Sequence, residues 1–225
     1  MKEVILNELC ENGFDECLQF GWEHFDSIRS IHNLTQSRFD FAALPRYLRT
    51  STYMAGGKRG NQSDFDLLLN LFLTEEYTEE KERIFKGMVE NNKQHNMYKL
   101  FDKLVEKVHS GYELHNFLHS YLRRHAYKNN HYETFFSQNS NRFRSQKYPL
   151  EIQKALYISY AKASTVENLS RLERVTDEFY ASSNESWFRD EWNRQNSRIG
   201  IAFKWTDSFA PTIFTTLSSL VKDLT

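Results

Sequence analysis

The stretch LPRYLRTSTYMAGGKRGNQSDFDLLLNLF, residues 44–72, holds the one glycine-rich segment of the chain. A phosphate-binding loop needs the pattern G-x-x-x-x-G-K-[ST] between a strand and a helix, because its backbone N–H groups must wrap around the phosphate. Residues 56–60 lack that spacing and follow a helical pattern over residues 47–54. We therefore predict a joint between two helices here, with Gly57 or Gly60 as a helix C-cap in the left-handed conformation.

Helical spacing of apolar residues continues outward from this stretch over nearly all 225 residues. No alternating pattern of strand type lasts more than a few residues, and the chain has only 8 Gly and 3 Pro to interrupt helices. The pattern predicts about twelve antiparallel helices of roughly 10–18 residues, joined by short loops. We expect an all-α superhelical stack of the HEAT or armadillo type, an α-solenoid, forming a single domain over residues 1–225.

The net charge and the hydropathy of the chain argue against a nucleic-acid partner and against a membrane span. The formal net charge of −1 lacks the basic excess of a general nucleic-acid binder, so we expect no nucleic-acid partner. A helical adaptor that binds RNA or DNA through Arg142, Arg144 and Lys147 is the least favoured alternative. No apolar run approaches the roughly 20 residues of a membrane span. The N-terminal residues do not form a signal peptide, so a secreted protein would carry its targeting segment outside this sequence.

The two cysteines, Cys10 and Cys17, flank the turn-forming pair Asn12-Gly13. Without a third or fourth ligand they do not indicate a structural zinc site. The spacing leaves two alternatives open: the thiols meet across a helix–turn–helix joint, or they stay free and buried.

Two polar motifs lie in the middle of the chain. His115 and His119 are four residues apart on one predicted helix, but Asn116 stands where a zinc peptidase has its catalytic glutamate, so we expect solvated or hydrogen-bonded histidines. The basic run from Arg123 to Lys128 is either a solvated helix end or a receptor for a carboxylate.

Four N-x-[ST] sequons permit a secreted location without proving it. The candidate glycosylation sites are Asn33, Asn61, Asn168 and Asn184.

Four stretches, in the same order along the chain, resemble a known family. Residues 9–17 resemble its joint C-x-x-G-x-x-x-C, and residues 44–53 its segment P-x-x-L-R-x-x-x-Y. Residues 56–72 are similar to its glycine-pair segment, and residues 201–205 to its segment N-I-x-W before the last helix. The chain thus resembles the C-terminal helical domain of zinc aminopeptidases of the aminopeptidase N type.

This resemblance implies that the chain is a fragment of a larger enzyme and lacks the catalytic domain. The family's zinc motif H-E-x-x-H is absent from this sequence. The chain itself would then bind no cofactor and cleave nothing, whereas its parent would use zinc-activated water to remove N-terminal residues from peptides. In the family, this domain encloses the active site and helps to select peptides. Its partners would be the parent's catalytic domain and peptide substrates, with any membrane contact made by a parent anchor.

The resemblance also implies roles for particular residues. Cell-surface members join the two cysteines, which implies a Cys10–Cys17 disulfide and an extracellular, cell-surface or lumenal location. The family's substrate-contacting arginine falls on Arg124. With it, Arg123, Tyr127 and Lys128 would attract a peptide carboxylate, although Lys128 stands where the family has glycine.

A different class of function is kept as an alternative. It is a non-catalytic α-solenoid scaffold that binds a protein partner, including the case of an inactive aminopeptidase homologue.

Overall fold

Eleven α-helices make up the described part of the chain, and no strand occurs there. The computed structural model describes residues 2–35, 44–91, 93–108, 110–125, 131–145, 147–163, 169–183 and 185–204. The helices are α1 Lys2–Glu11, α2 Asp15–Thr35, α3 Arg46–Arg59, α4 Gln62–Thr74, α5 Thr78–Val89, α6 Gln94–Lys107, α7 Gly111–His125, α8 His131–Phe143, α9 Leu150–Ala163, α10 Leu169–Ser183 and α11 Trp187–Lys204. The predicted all-α stack is confirmed, and its superhelical type stays a prediction.

The helices fall into two compact units, comprising residues 1–109 with 116–132 and residues 110–115 with 133–225. The prediction of a single domain is not decided by this division. In the first unit α3 is the central helix, because it packs against α1, α2, α4 and α5. Every residue from Thr50 to Gly57 is buried, so α3 has no solvent-facing side over its middle turns.

Glycines let α3 approach its neighbours closely. A Cβ atom added to Gly57 would lie 1.9 Å from the carbonyl oxygen of Gly87 in α5, and one added to Gly56 would lie 2.5 Å from the Phe25 ring in α2. No side chain fits at either position. Gly56 and Gly57 therefore serve interhelical packing within α3, and the prediction that this pair forms the joint between two helices is wrong.

The actual joint lies three residues later, at Gly60-Asn61. Gly60 is the C-cap of α3, which confirms one of the two predicted cap positions, but its φ of −70° shows that the predicted left-handed conformation is wrong. Asn61 then caps α4: its side chain accepts hydrogen bonds from the amides of Ser63 and Asp64, and the Asp64 carboxylate accepts one from the Asn61 amide. This reciprocal capping box ends α3 and starts α4 without any glycine-specific conformation.

The second unit is built on aromatic packing among α8, α9, α10 and α11. The Phe136 ring is stacked on Tyr160 with 4.4 Å between centroids and on Phe179 at 5.8 Å. Tyr157 contacts Phe188 edge-on at 5.1 Å, and its hydroxyl lies 2.5 Å from Thr176 Oγ1. Aromatic pairs of this kind stabilise beyond their buried area, so these rings form a specific core.

Candidate functional site

The basic residues predicted to bind a peptide carboxylate lie at the end of α7. Arg123 is exposed, whereas the Arg124 side chain is only 16% exposed. Arg124 donates from Nη1 to Glu90 Oε1 at 2.8 Å and from Nη2 to Glu11 Oε2 at 2.9 Å. Tyr127 and Lys128 lie outside the described residues.

Lys58 lies beside the ion pairs that Arg124 makes with Glu11 and Glu90. Lys58 Nζ donates to the carbonyl oxygens of Cys10 and Glu11 at 2.8 and 2.7 Å, and lies 3.4 Å from Glu90 Oε2. The ammonium group thus satisfies carbonyl groups in the last turn of α1, where the helix dipole favours a cation. We call Glu11, Lys58, Glu90 and Arg124 the Arg124 network.

The Arg124 network bears on the predicted binding of a peptide carboxylate by Arg124. Two carboxylates of the chain already occupy its guanidinium, in the charge-assisted geometry that a peptide carboxylate would use. A bound peptide would have to displace Glu11 or Glu90. The role of Arg124 in substrate binding stays a prediction.

The cysteine pair lies beside this network. The Cys10 and Cys17 Sγ atoms are 2.05 Å apart, which is disulfide distance, so the alternative of two free thiols is wrong. The turn between them contains Gly13 at φ 81°, in the left-handed region that favours glycine. Gly13 N donates to Cys10 O and Phe14 N to Leu9 O, which closes the end of α1.

Sequence reasoning missed a second charged cluster, around a cleft of about 510 Å³ between α3 and α5. Three arginines and three glutamates contribute to its lining. The lining residues are Arg46, Arg49, Glu75, Tyr77, Thr78, Glu79, Glu80 and Arg83. We call it the arginine cleft.

Glu80 is the buried centre of the arginine cleft, with a side chain 5% exposed. Its Oε2 accepts from Arg49 Nη1 at 3.1 Å and from Arg83 Nη1 at 3.0 Å, and its Oε1 accepts from the Tyr53 hydroxyl at 2.8 Å. Burial raises the pKa of Tyr53 far above its usual value, and the Glu80 carboxylate raises this pKa further. The Tyr53 hydroxyl therefore stays protonated and acts as a fixed donor.

Arg46 and Arg49 were visible in the sequence only as part of the segment at residues 44–53. Their glutamate partners are more than 30 residues away, since Arg49 pairs with Glu80 and Arg46 with Glu79. The one available signal was the spacing of the arginines, three apart on one helix face.

The remaining candidate residues lie apart from both clusters. His115 Nε2 is 3.4 Å from Lys162 Nζ, and His119 is exposed. Asn61 is exposed, and its Oδ1 accepts from the Ser63 hydroxyl at 2.7 Å. Of the other sequons, Asn168 and Asn184 lie outside the described residues, and the Asn33 side chain lies outside them too.

The basic set of the nucleic-acid alternative takes part in contacts within the second unit. Arg142 donates from Nε to the Tyr148 hydroxyl at 2.9 Å, Arg144 Nη2 lies 3.2 Å from Glu178 Oε2, and Lys147 Nζ lies 5.9 Å from the Tyr148 ring centroid. These cations therefore stabilise the unit in which they lie.

The described residues contain no group of three or more His, Cys, Asp or Glu side chains placed to hold a metal ion. Within the same part of the chain, no helix is both long and apolar enough to cross a bilayer. No protein-family model matches the chain, and no curated protein matches it either. The resemblance to zinc aminopeptidases therefore rests on the four stretches of sequence alone.

Proposed function

We propose that this chain is the C-terminal helical domain of a zinc aminopeptidase of the aminopeptidase N type. In this proposal the domain encloses the active site of its parent and helps to select and hold peptides. The parent removes N-terminal residues by attack of zinc-activated water on the first peptide bond. The domain contributes enclosure and length selection, and the chemistry belongs to the catalytic domain.

The observation that carries the proposal is the Cys10–Cys17 disulfide across the turn between α1 and α2. Residues 9–17 are one of the four resembling stretches, and the cell-surface members of the family join their two cysteines at this point. A disulfide at a surface turn also favours an oxidising compartment, which supports an extracellular, cell-surface or lumenal location.

A non-catalytic scaffold is the second candidate, and exposed apolar side chains favour it. Val4 and Ile5 in α1 are 64% and 53% exposed, Phe14 just before α2 is 54% exposed, and Phe20 in α2 is 40% exposed. Apolar residues exposed in this number suit a protein contact. In the scaffold proposal, a separate protein would cover these side chains. In the aminopeptidase proposal, other domains of the parent would cover them.

The size of the native polypeptide separates the two candidates. An antibody raised against this chain is used to probe an extract of its source after denaturing electrophoresis. The aminopeptidase proposal expects a band several times heavier than the 26.9 kDa of this chain. A band at 26.9 kDa alone would overturn it and leave the scaffold.

A further inference from the structure

We propose that the arginine cleft binds a small carboxylate ligand with an apolar substituent, and that the ligand takes the place of the Glu79 carboxylate on Arg46. The assignment is independent of the proposed function, because it uses only the geometry of α3, α5 and the residues just before α5.

Arg46 is the available cation of the cleft. Its side chain is 62% exposed, and within the described residues only its Nη2 has a partner, the Glu79 carboxylate. A guanidinium has five N–H donors in a fixed fork, so most of those on Arg46 are open to a ligand. Glu79 is 70% exposed, and an exposed ion pair of this type contributes little stability. Exchange of Glu79 for an external carboxylate therefore costs little.

The deeper arginines form a fixed floor. Arg49 and Arg83 both donate to the buried Glu80 carboxylate, and their side chains are only 18% and 13% exposed. Arg83 Nη2 also lies 3.7 Å from Glu79 Oε2, so the Glu79 carboxylate sits near two guanidinium groups. A ligand carboxylate in that place would meet two cations that the fold already holds in position.

The first turn of α5 adds backbone donors. Its N-cap residue, Tyr77, makes no side-chain capping hydrogen bond, and the amides of Thr78 and Glu79 have no acceptor among the described residues. Both residues line the cleft. The start of a helix carries positive partial charge, so these amides favour an anion near the arginines.

The charge balance selects a monoanion. The lining carries three arginines and three glutamates, and two of those glutamates, Glu75 and Glu80, are buried. The exposed Glu79 side chain can turn out into solvent, and a ligand monoanion in its place then keeps the cleft neutral. A phosphate dianion would place an extra charge near two buried carboxylates, which is unfavourable in a partly desolvated site. The Tyr77 side chain, 75% exposed at the cleft, offers an aromatic surface for an apolar substituent.

The test compares the binding of N-acetyl-phenylalanine and of its uncharged amide to the full chain. Ligand-observed NMR titration measures the binding of each compound. We expect the acid to bind and the amide to bind at least about tenfold more weakly, because the amide lacks the charge that pairs with Arg46. Equal binding of the acid and the amide would overturn the proposal. A result in which the acid binds neither the wild-type chain nor the Glu79→Gln variant would also overturn it.

Two matched pairs of variants locate the site. Glu79→Gln removes the internal competitor and should strengthen binding of the acid about three- to fivefold, whereas Glu82→Gln, an exposed site on the same helix outside the cleft lining, should not. Arg46→Gln should abolish binding, whereas Lys93→Gln removes the same charge outside the cleft and should leave it intact. Equal effects within either pair would overturn the assignment. Inorganic phosphate that displaces the acid at equal concentration would overturn the choice of a carboxylate.

Discussion

At Gly57 the backbones of α3 and α5 touch, and this contact makes a strong prediction about stability. Gly57→Ala should lower the free energy of unfolding by about 2–3 kcal/mol, because the new methyl group would lie 1.9 Å from the Gly87 carbonyl oxygen. Urea unfolding followed by circular dichroism measures the change. Gly200→Ala is the control: nothing lies within 4 Å of its added Cβ in α11, so it should raise stability by about 0.5–1 kcal/mol. Similar effects at the two glycines would contradict the close approach of α3 and α5.

The buried Tyr53 hydroxyl predicts a loss of stability in alkali. Burial, and next the Glu80 carboxylate, raise the pKa of Tyr53 above its ordinary value of 10.0. The unfolded chain releases this proton near pH 10 while the folded chain keeps it, so the free energy of unfolding falls as the pH rises above about 10. Tyr53→Phe removes this group, so the decline above about pH 10 should be less steep, as urea midpoints at several pH values would show.

The matched control for this pH profile is Tyr77→Phe. Tyr77 is 75% exposed, so its replacement should leave the profile unchanged. An unchanged profile in Tyr53→Phe, or equal changes in the two variants, would show that Tyr53 does not hold its proton in the folded state.

The sequence predicted some of these residues and missed others for a physical reason. The pairing of Cys10 with Cys17 was within reach, since a turn signal lies between them. The sequence could not predict two other contacts, Gly57 with Gly87 and Arg49 with Glu80. Contacts between residues about 30 apart depend on how two helices pack. The glycine pair was mistaken for a joint because glycine ends many helices, and only the packing showed why it lies inside one.

Two kinds of contact hold the C-terminal end of α1 to the first unit. The disulfide joins it to α2, and Lys58 satisfies two carbonyl groups of its last turn. Helix existence and type were predictable here from apolar spacing, whereas this attachment was not, because Lys58 lies 47 residues from Glu11.

Reduction of the disulfide should therefore loosen α1. The ring closed by residues 10–17 is short, so the chain-entropy model gives a loss of about 2.5 kcal/mol in the free energy of unfolding. Hydrogen exchange with and without dithiothreitol should show faster exchange of the α1 amides after reduction. A double variant, Cys10→Ala with Cys17→Ala, should respond identically in both buffers. Unchanged exchange of α1 in the reduced wild-type chain would mean that noncovalent contacts hold it without the disulfide.

For the molecule as a whole, the all-α class followed from composition and spacing, and the function did not. The chain has few glycines and prolines, and its apolar residues have helical spacing. Together these two features indicate an all-α fold. A helical stack serves many functions, so the proposed role depends on a resemblance carried by short stretches.

The proposed role makes a prediction for Arg124 in the full enzyme. Arg124→Ala should weaken trimming of longer peptides and spare dipeptide-like substrates, because only the longer peptides reach this domain with their carboxylate. Hydrolysis rates over a series of peptide lengths measure this. Glu90→Gln is the control, since it disturbs the Arg124 network but keeps the arginine, and it should not reproduce the length dependence. Equal losses on short and long substrates would remove Arg124 from substrate binding.

Immunodepletion of aminopeptidase activity tests most directly whether this chain belongs to an active aminopeptidase. An antibody raised against this chain is applied to a native extract of its source, and hydrolysis of an N-terminal amino-acid amide is measured before and after. We expect the antibody to remove a zinc-dependent activity, lost with a chelator and restored by zinc, together with the protein that carries this chain. Complete removal of that protein with no change in aminopeptidase activity would contradict an active aminopeptidase as its parent.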